Sequence, residues 1–399
     1  MAYIRTFFLA FSLSLVLACA INWLVDPYGM YWSPHIEGLN AQKPAAPDRV
    51  RVTKAYRAPE ATPEILIAGN SRVEMGLSPM HPVFGGRSVY NLGLPGAGVA
   101  MQLDYALNAL RLGGNVERVI VSIDFLDFLY RPDYLQSWSL SGAQPGYMPR
   151  LSGFSDDWRG QWFRLKEKAA LVFSLDSLAA SVTTLASQSR RTNSITRRGQ
   201  NTAGSYSEII AAEGIDALFV QKLDELTERL QGKQFAFDGG HSPSPAIAAF
   251  TAFLDEMASR GIRVDVFINP YHYSYVMLLD DLGLSELFLD WKRFIAERVA
   301  AHVHERRQVS LWDFSGFGPE VREALPEEGS GTAMTWFWEP AHYRETLGDR
   351  VLDSLRGQTG SAFGVRLTLA NVDDVVAGNR RDIAAAREDW RRLKRRLNL

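Results

Sequence analysis

The strongest constraint on how this chain folds is an alternation that begins at Glu64. Short runs rich in Val, Ile, Leu and Phe recur at Ile65–Ala68, Ser88–Leu92, Arg118–Asp124, Arg263–Asn269 and Gln308–Asp313. Each is short and apolar throughout, the pattern of parallel strands covered on both faces. Helical patterns lie between them: Ala97–Leu112 with a Gly113-Gly114 stop, Pro245–Arg260 with a Gly261 stop, and Leu284–Arg306. Strand–helix alternation predicts an α/β domain over 64–357, built on a doubly wound, mainly parallel sheet of five strands.

One interval breaks the rhythm. From about 125 to 245 there is no clear strand, but helix-like segments occur at Asp157–Leu171 and Ser207–Leu230. This predicts a helical insertion on the sheet's active edge, either a substrate lid or an irregular structural excursion. Within it Ser187–Ser205, rich in Ser, Arg, Thr, Asn and Gly, is expected to be a mobile basic loop. Beyond the domain, 358–399 reads as a basic helical tail with Arg380, Arg381, Arg387, Arg391, Arg392, Lys394, Arg395 and Arg396 against Asp382, Glu388 and Asp389. Such a tail suits anionic lipid headgroups, an acidic partner, or simply a solvated helix.

The amino-terminal segment obeys a different rule. Phe7–Val25 is a run of about 19 mostly apolar residues, with Arg5 before it and Asp26 after it, the length that crosses a hydrocarbon core. A positive charge ahead of the run favours a cytoplasmic amino terminus. Residues 1–26 are therefore expected to be an uncleaved single-pass anchor in the inner membrane, with a cleaved signal peptide as the rival. The body would face the periplasm or cell exterior, joined by a polar connector over 27–63. Cys19, the only cysteine, lies inside the anchor, so the body has no disulfide and depends on its core. With 46% hydrophobic residues the chain can bury a large core, and a net charge of -2 argues against a nucleic-acid partner.

The chemistry concentrates in two distant segments. Glu64-Ile65-Leu66-Ile67-Ala68-Gly69-Asn70-Ser71 ends a strand on a serine, and Trp338-Glu339-Pro340-Ala341-His342 places an acid three residues before a histidine. A serine hydroxyl becomes a nucleophile when a base takes its proton, and the base works best when an acid orients it. Ser71, His342 and Glu339 supply these three parts, and neither a cofactor nor a metal is expected. Arg72 stands beside the nucleophile, ready to hold an anionic substrate or to pair with Glu74. His272, at the carboxyl end of the fourth strand, is either a substrate contact or a structural histidine among tyrosines.

On these motifs the chain resembles the SGNH (GDSL-like) hydrolase superfamily. Gly69-Asn70-Ser71 matches its first block, Asn91-Leu92-Gly93-Leu94-Pro95-Gly96 its second, and Glu339-x-x-His342 its last. The resemblance implies a flavodoxin-like sheet, an oxyanion held by the N–H groups of Ser71 and Gly93, and Asn91 near substrate. The superfamily's third block, Gly-x-Asn-Asp, has no counterpart in Val121-Ser122-Ile123-Asp124; Asp124 there either positions a substrate hydroxyl or caps the strand end. Loss of one oxyanion donor costs roughly 10²–10³ in turnover. An anchor followed by such a domain is similar to proteins of alginate O-acetylation and teichoic-acid D-alanylation. That implies an acyl-ester hydrolase or O-acyltransferase acting on envelope carbohydrate, with a multi-spanning acyl exporter as partner. A non-catalytic assembly or binding protein of the same shape is the alternative.

Overall fold

The structure, a computed structural model, describes residues 1–132, 146–238, 244–302, 309–357 and 363–399. Gln308 and the expected helix end at 303–306 lie outside the described residues. Five strands run parallel: β1 Ile65–Gly69, β2 Val89–Gly93, β3 Arg118–Ile123, β4 Arg263–Ile268 and β5 Val309–Asp313. Their side chains are almost all buried, as the unbroken apolar runs require. The sheet has six strands rather than five: β1 to β5 lie in the order β2-β1-β3-β4-β5, and a further strand borders β5. Strands β6 Phe337–Glu339 and β7 His342–Tyr343 form a separate hairpin. The sixth strand of the sheet, β8 Val365–Arg366, pairs antiparallel with β5 and comes from the segment read as a tail.

The strand order reverses at β1: the chain steps outward to β2, then returns past β1 to β3. Right-handed crossovers then place the helices before and after β2 on opposite faces. α1 (Ala2–Val25) precedes the sheet, α2 (Val50–Glu60) leads into it, and α3 (Ser71–Gly76) and α4 (Val99–Gly113) flank β2. α5 (Phe125–Phe128) follows β3, then α6 (Trp158–Phe173), α7 (Leu175–Ala186), α8 (Gly204–Glu213), α9 (Ile215–Leu230) and α10 (Pro245–Arg260). α11 (Tyr273–Asp281), α12 (Ser285–Ala300), α13 (Glu345–Arg356) and α14 (Val372–Leu397) complete the helices. α4 packs on α2 and α10, and α3 packs on α13. Phe125 and Phe128 of α5 join Phe250 of α10 and Phe288 and Trp291 of α12 in one aromatic cluster.

Three segments depart from the sequence expectation. The region read as a connector carries α2, whose Lys54 is fully buried and donates to Glu74 at 2.9 Å and to the Gly93 carbonyl at 2.6 Å. The expected mobile basic loop is docked: the Asn91 N–H donates to the Arg198 carbonyl at 2.7 Å, and Asn201 binds Glu74 through both backbone and side chain. This loop covers the outer border of β2, where unpaired backbone groups would otherwise face water. The basic tail is likewise part of the body. α14 buries Val376, Ile383, Trp390 and Leu393, packs on α11 and α12, and pairs Arg380 with Glu286, Lys394 with Asp281 and Arg396 with Asp216.

Among the described residues α1 is the one helix long and apolar enough to cross a membrane by itself, with a mean hydropathy of 2.2. Its carboxyl-terminal turns rest on α6 and α7, where Asn22 donates to the Val172 carbonyl at 2.8 Å and accepts from Ser181 at 2.9 Å.

Candidate active site

β1 ends against β3 with no room for a side chain. Gly69 has φ +154°, and a Cβ there would sit 2.0 Å from the Ser122 hydroxyl, so only glycine fits. Asn70 then caps α3, its side chain accepting from the Arg72 N–H at 3.1 Å. Ser71 is thereby placed at the carboxyl edge of the sheet, beside the strand-order reversal, where crevices form in open α/β sheets.

The histidine arrives on the β6–β7 hairpin. Tyr343 lies against Gly76 of α3, the Pro340 carbonyl accepts from the His272 N–H at 3.1 Å, and Trp338 stacks on Tyr206 of α8 with centroids 5.5 Å apart. Held this way, His342 Nε2 lies 2.7 Å from Ser71 Oγ. Its Nδ1 is in close contact with Glu339 Oε1, and Glu339 Oε2 accepts from the Ala341 N–H at 2.9 Å. Glu339 is buried, which by itself pushes its carboxyl up. The His342 charge and hydrogen bond, with the Lys222 charge and the Ala341 N–H, together outweigh that, and the net effect holds it below the usual carboxylate range. Ser71 therefore joins the distant Glu339–His342 pair in one continuous relay.

A cavity of about 370 Å³ opens over the relay, lined by Ser71, His342, Gly96, Asp127, Lys222 and Arg229, among others. A larger opening of about 500 Å³ lies at the opposite, amino-terminal ends of β1, β3 and β4, where Arg87, Arg118 and Arg263 line it without a nucleophile. Only the first joins a nucleophile to a base.

The other expected residues divide. Arg72 lines the cavity but pairs with Asp124, not Glu74, and its guanidinium lies 5.1 Å from the Tyr271 ring and 5.6 Å from that of Tyr275. Burial is the largest influence and opposes its charge, but Asp124, Tyr275, Tyr271 and Asp127 together outweigh it and Arg72 stays a cation. Asp124 also caps α5 through the Leu126 N–H, so it is occupied on both sides. Asn91 is not at the cavity: buried in β2, it donates to the carbonyls of Val73 in α3 and of Leu77 just after it, at 2.7 and 2.8 Å. Its Oδ1 accepts the Gly93 N–H at 2.9 Å, which removes Gly93 from the oxyanion role expected of it. His272 is also structural. It is fully buried between Ser274 and the Glu323 carbonyl, and burial lowers its pKa to about 4.

Sequence reasoning passed over several cavity residues. Gly96, three positions beyond Gly93, lines the cavity, at φ +62°. Among the described residues the N–H groups of Ser71 and Gly96 meet no acceptor. Asp127 accepts from Asn70 and Gln102 at 3.1 and 2.9 Å; burial, then the Asp124 charge, raises it to about 6. Lys222, Glu225 and Arg229 recur along one face of α9, a helical spacing visible in the sequence.

Fold and site together define an α/β protein with a Ser–His–Glu relay at the carboxyl edge of a mostly parallel sheet. In comparisons with known proteins the chain matches no protein-family model and no curated sequence.

Proposed function

We propose that the chain is a membrane-anchored serine enzyme of the SGNH type, an acyl-ester hydrolase or O-acyltransferase acting on envelope carbohydrate outside the cytoplasm. The observation that carries this reading is the 2.7 Å contact between Ser71 Oγ and His342 Nε2 under an open cavity. His342 takes the Ser71 proton as Oγ attacks the ester carbonyl, and Glu339 stabilises the imidazolium that forms. The N–H groups of Ser71 and Gly96 receive the oxyanion. Collapse expels the alcohol, which takes its proton from His342, and leaves the acyl group on Ser71. Water then completes hydrolysis; a sugar hydroxyl completes transfer. The anchor, and the positive charge at Arg5 ahead of it, support the outward placement, and an acyl-exporting membrane protein is the expected donor partner.

Full-length protein in detergent is expected to be labelled by a fluorophosphonate probe, and Ser71→Ala to abolish labelling. Absence of labelling in the unsubstituted protein would instead favour the non-catalytic assembly reading. With an activated acetyl ester as donor, release of acetate against acetylation of an added oligosaccharide separates hydrolysis from transfer.

A further inference from the structure

Helices α6 and α7 are patterned inside out. The inward positions of α7 are hydroxyls, with Ser177, Ser181 and Thr184 buried, while Leu175 and Val182 are 82% and 59% exposed. In α6 the large exposed residues are Trp158, Trp162, Leu165 and Phe173, at 70%, 51%, 58% and 66%. Their spacing places all four on one face of that helix. A helix pair facing water would show the reverse order, polar outside and apolar inside.

What lies outside this face is indicated by α1. The bend between α6 and α7, 48°, sits where Asn22 of α1 binds the Val172 carbonyl, so Phe173 and Leu175 emerge beside the last turns of the apolar helix. Small hydroxyl residues turned toward a neighbouring helix, with bulky apolar ones turned away, are what helix packing in lipid favours. Arg159 and Lys166 lie over the Trp158 and Trp162 rings at 5.4 and 5.1 Å, the pairing of aromatic and cation found at headgroup level. Neither α6 at 16 residues nor α7 at 12 is long enough to span alone.

We infer that α6 and α7 form an interfacial hairpin, seated in the leaflet where α1 ends, with the bilayer as the occupant of their exposed apolar face. The insertion is thus a second membrane contact, and α1 and the hairpin together attach the body at two points. The inference rests on α1 crossing a membrane and is independent of the proposed chemistry.

The test uses full-length protein in nanodiscs of phosphatidylcholine and phosphatidylglycerol. Single nitroxide labels are placed on a Cys19→Ser background at Trp162→Cys, Leu175→Cys and Val182→Cys. Leu13→Cys in α1 is the lipid reference and Arg391→Cys in α14 the aqueous one. The three hairpin labels are expected to collide with oxygen in preference to a water-soluble nickel chelate, as the label at 13 does. Collision with nickel as free as at 391 overturns the inference while leaving the anchor intact. Shielding from both reagents with spin–spin coupling between chains means that a second copy covers the face, which overturns it as well. A label at 13 that itself meets nickel removes the anchor and the inference together.

Discussion

The Glu339–His342 pair sets how much of the chemistry rests on charge. Glu339→Gln keeps the side-chain volume but removes the negative charge that stabilises the imidazolium. It is expected to slow fluorophosphonate labelling about 10²–10⁴-fold without unfolding the protein; stopped-time labelling checks this. His272 predicts something different, because it acts only on stability. Its pKa is about 4 in the folded chain against 6.5 for an ordinary histidine. Between those values the unfolded chain binds the extra proton, so this group's stabilisation is complete above pH 6.5 and is lost as pH falls towards 4. Asp127, raised to about 6, has the opposite sign, since it favours the folded state as pH falls. That contribution is common to both proteins when His272→Gln is compared with the unsubstituted chain. The variant is expected to be less stable at pH 7 but to lose less on acidification, the difference between pH 7 and pH 4.5 amounting to about 2 kcal/mol. Urea titrations at pH 7 and pH 4.5 measure it.

Among the elements, the docked loop at 195–201 shows what the sequence concealed. Its polar, Arg-rich composition describes a solvated loop equally well, and nothing local to it specifies the Asn91–Arg198 bond. Gly199 is the position where docking leaves a mark: φ is +85°, and a Cβ would lie 2.1 Å from the Asn91 carbonyl oxygen. Gly199→Ala is therefore expected to cost about 1–3 kcal/mol and to speed hydrogen exchange at the Asn91 amide, read by mass spectrometry after a deuterium pulse. The buried Lys54–Glu74 pair makes a companion prediction for α2. Lys54→Met strands Glu74 in the core, and the expected loss is about 3–5 kcal/mol, seen as a fall in thermal midpoint. The strands of the sheet were legible because an apolar run covered on both faces leaves a signal within its own residues. The convergence of Ser71, His342 and Glu339 could be anticipated because a strand-end serine and an acid three residues before a histidine are patterns held within a few residues. Gly93 and Asn91 were misassigned because the bond between them depends on α3, which no spacing along β2 reveals. β8, only Val365–Arg366, exists because β5 offers it a border, and two residues hold no periodicity to read.

For the whole molecule, the consequential fact is that the body is closed by segments distant in sequence. α14 covers α11 and α12, and Asn379 accepts from the buried Lys292 at 2.7 Å, which also pairs with Asp313 at 2.8 Å. Ending the chain at 357 removes β8, α14 and one partner of a buried ammonium. The truncated protein is expected to bind a hydrophobic dye and to elute as aggregate on size exclusion. Trp390→Ala, a milder version, should remain monomeric with about 3–5 kcal/mol less stability.

The same arrangement orders events during synthesis. Ser71 and His342 both leave the ribosome before residue 363, yet at that moment the free side of β5 still exposes unpaired backbone and the flank of α12 lies bare. A nascent chain stalled there holds Ser71, Glu339 and His342 but lacks its closing strand and clamp. Closure of the body therefore depends on residues remote from Ser71 and His342, since β8 borders β5 and α14 covers α12.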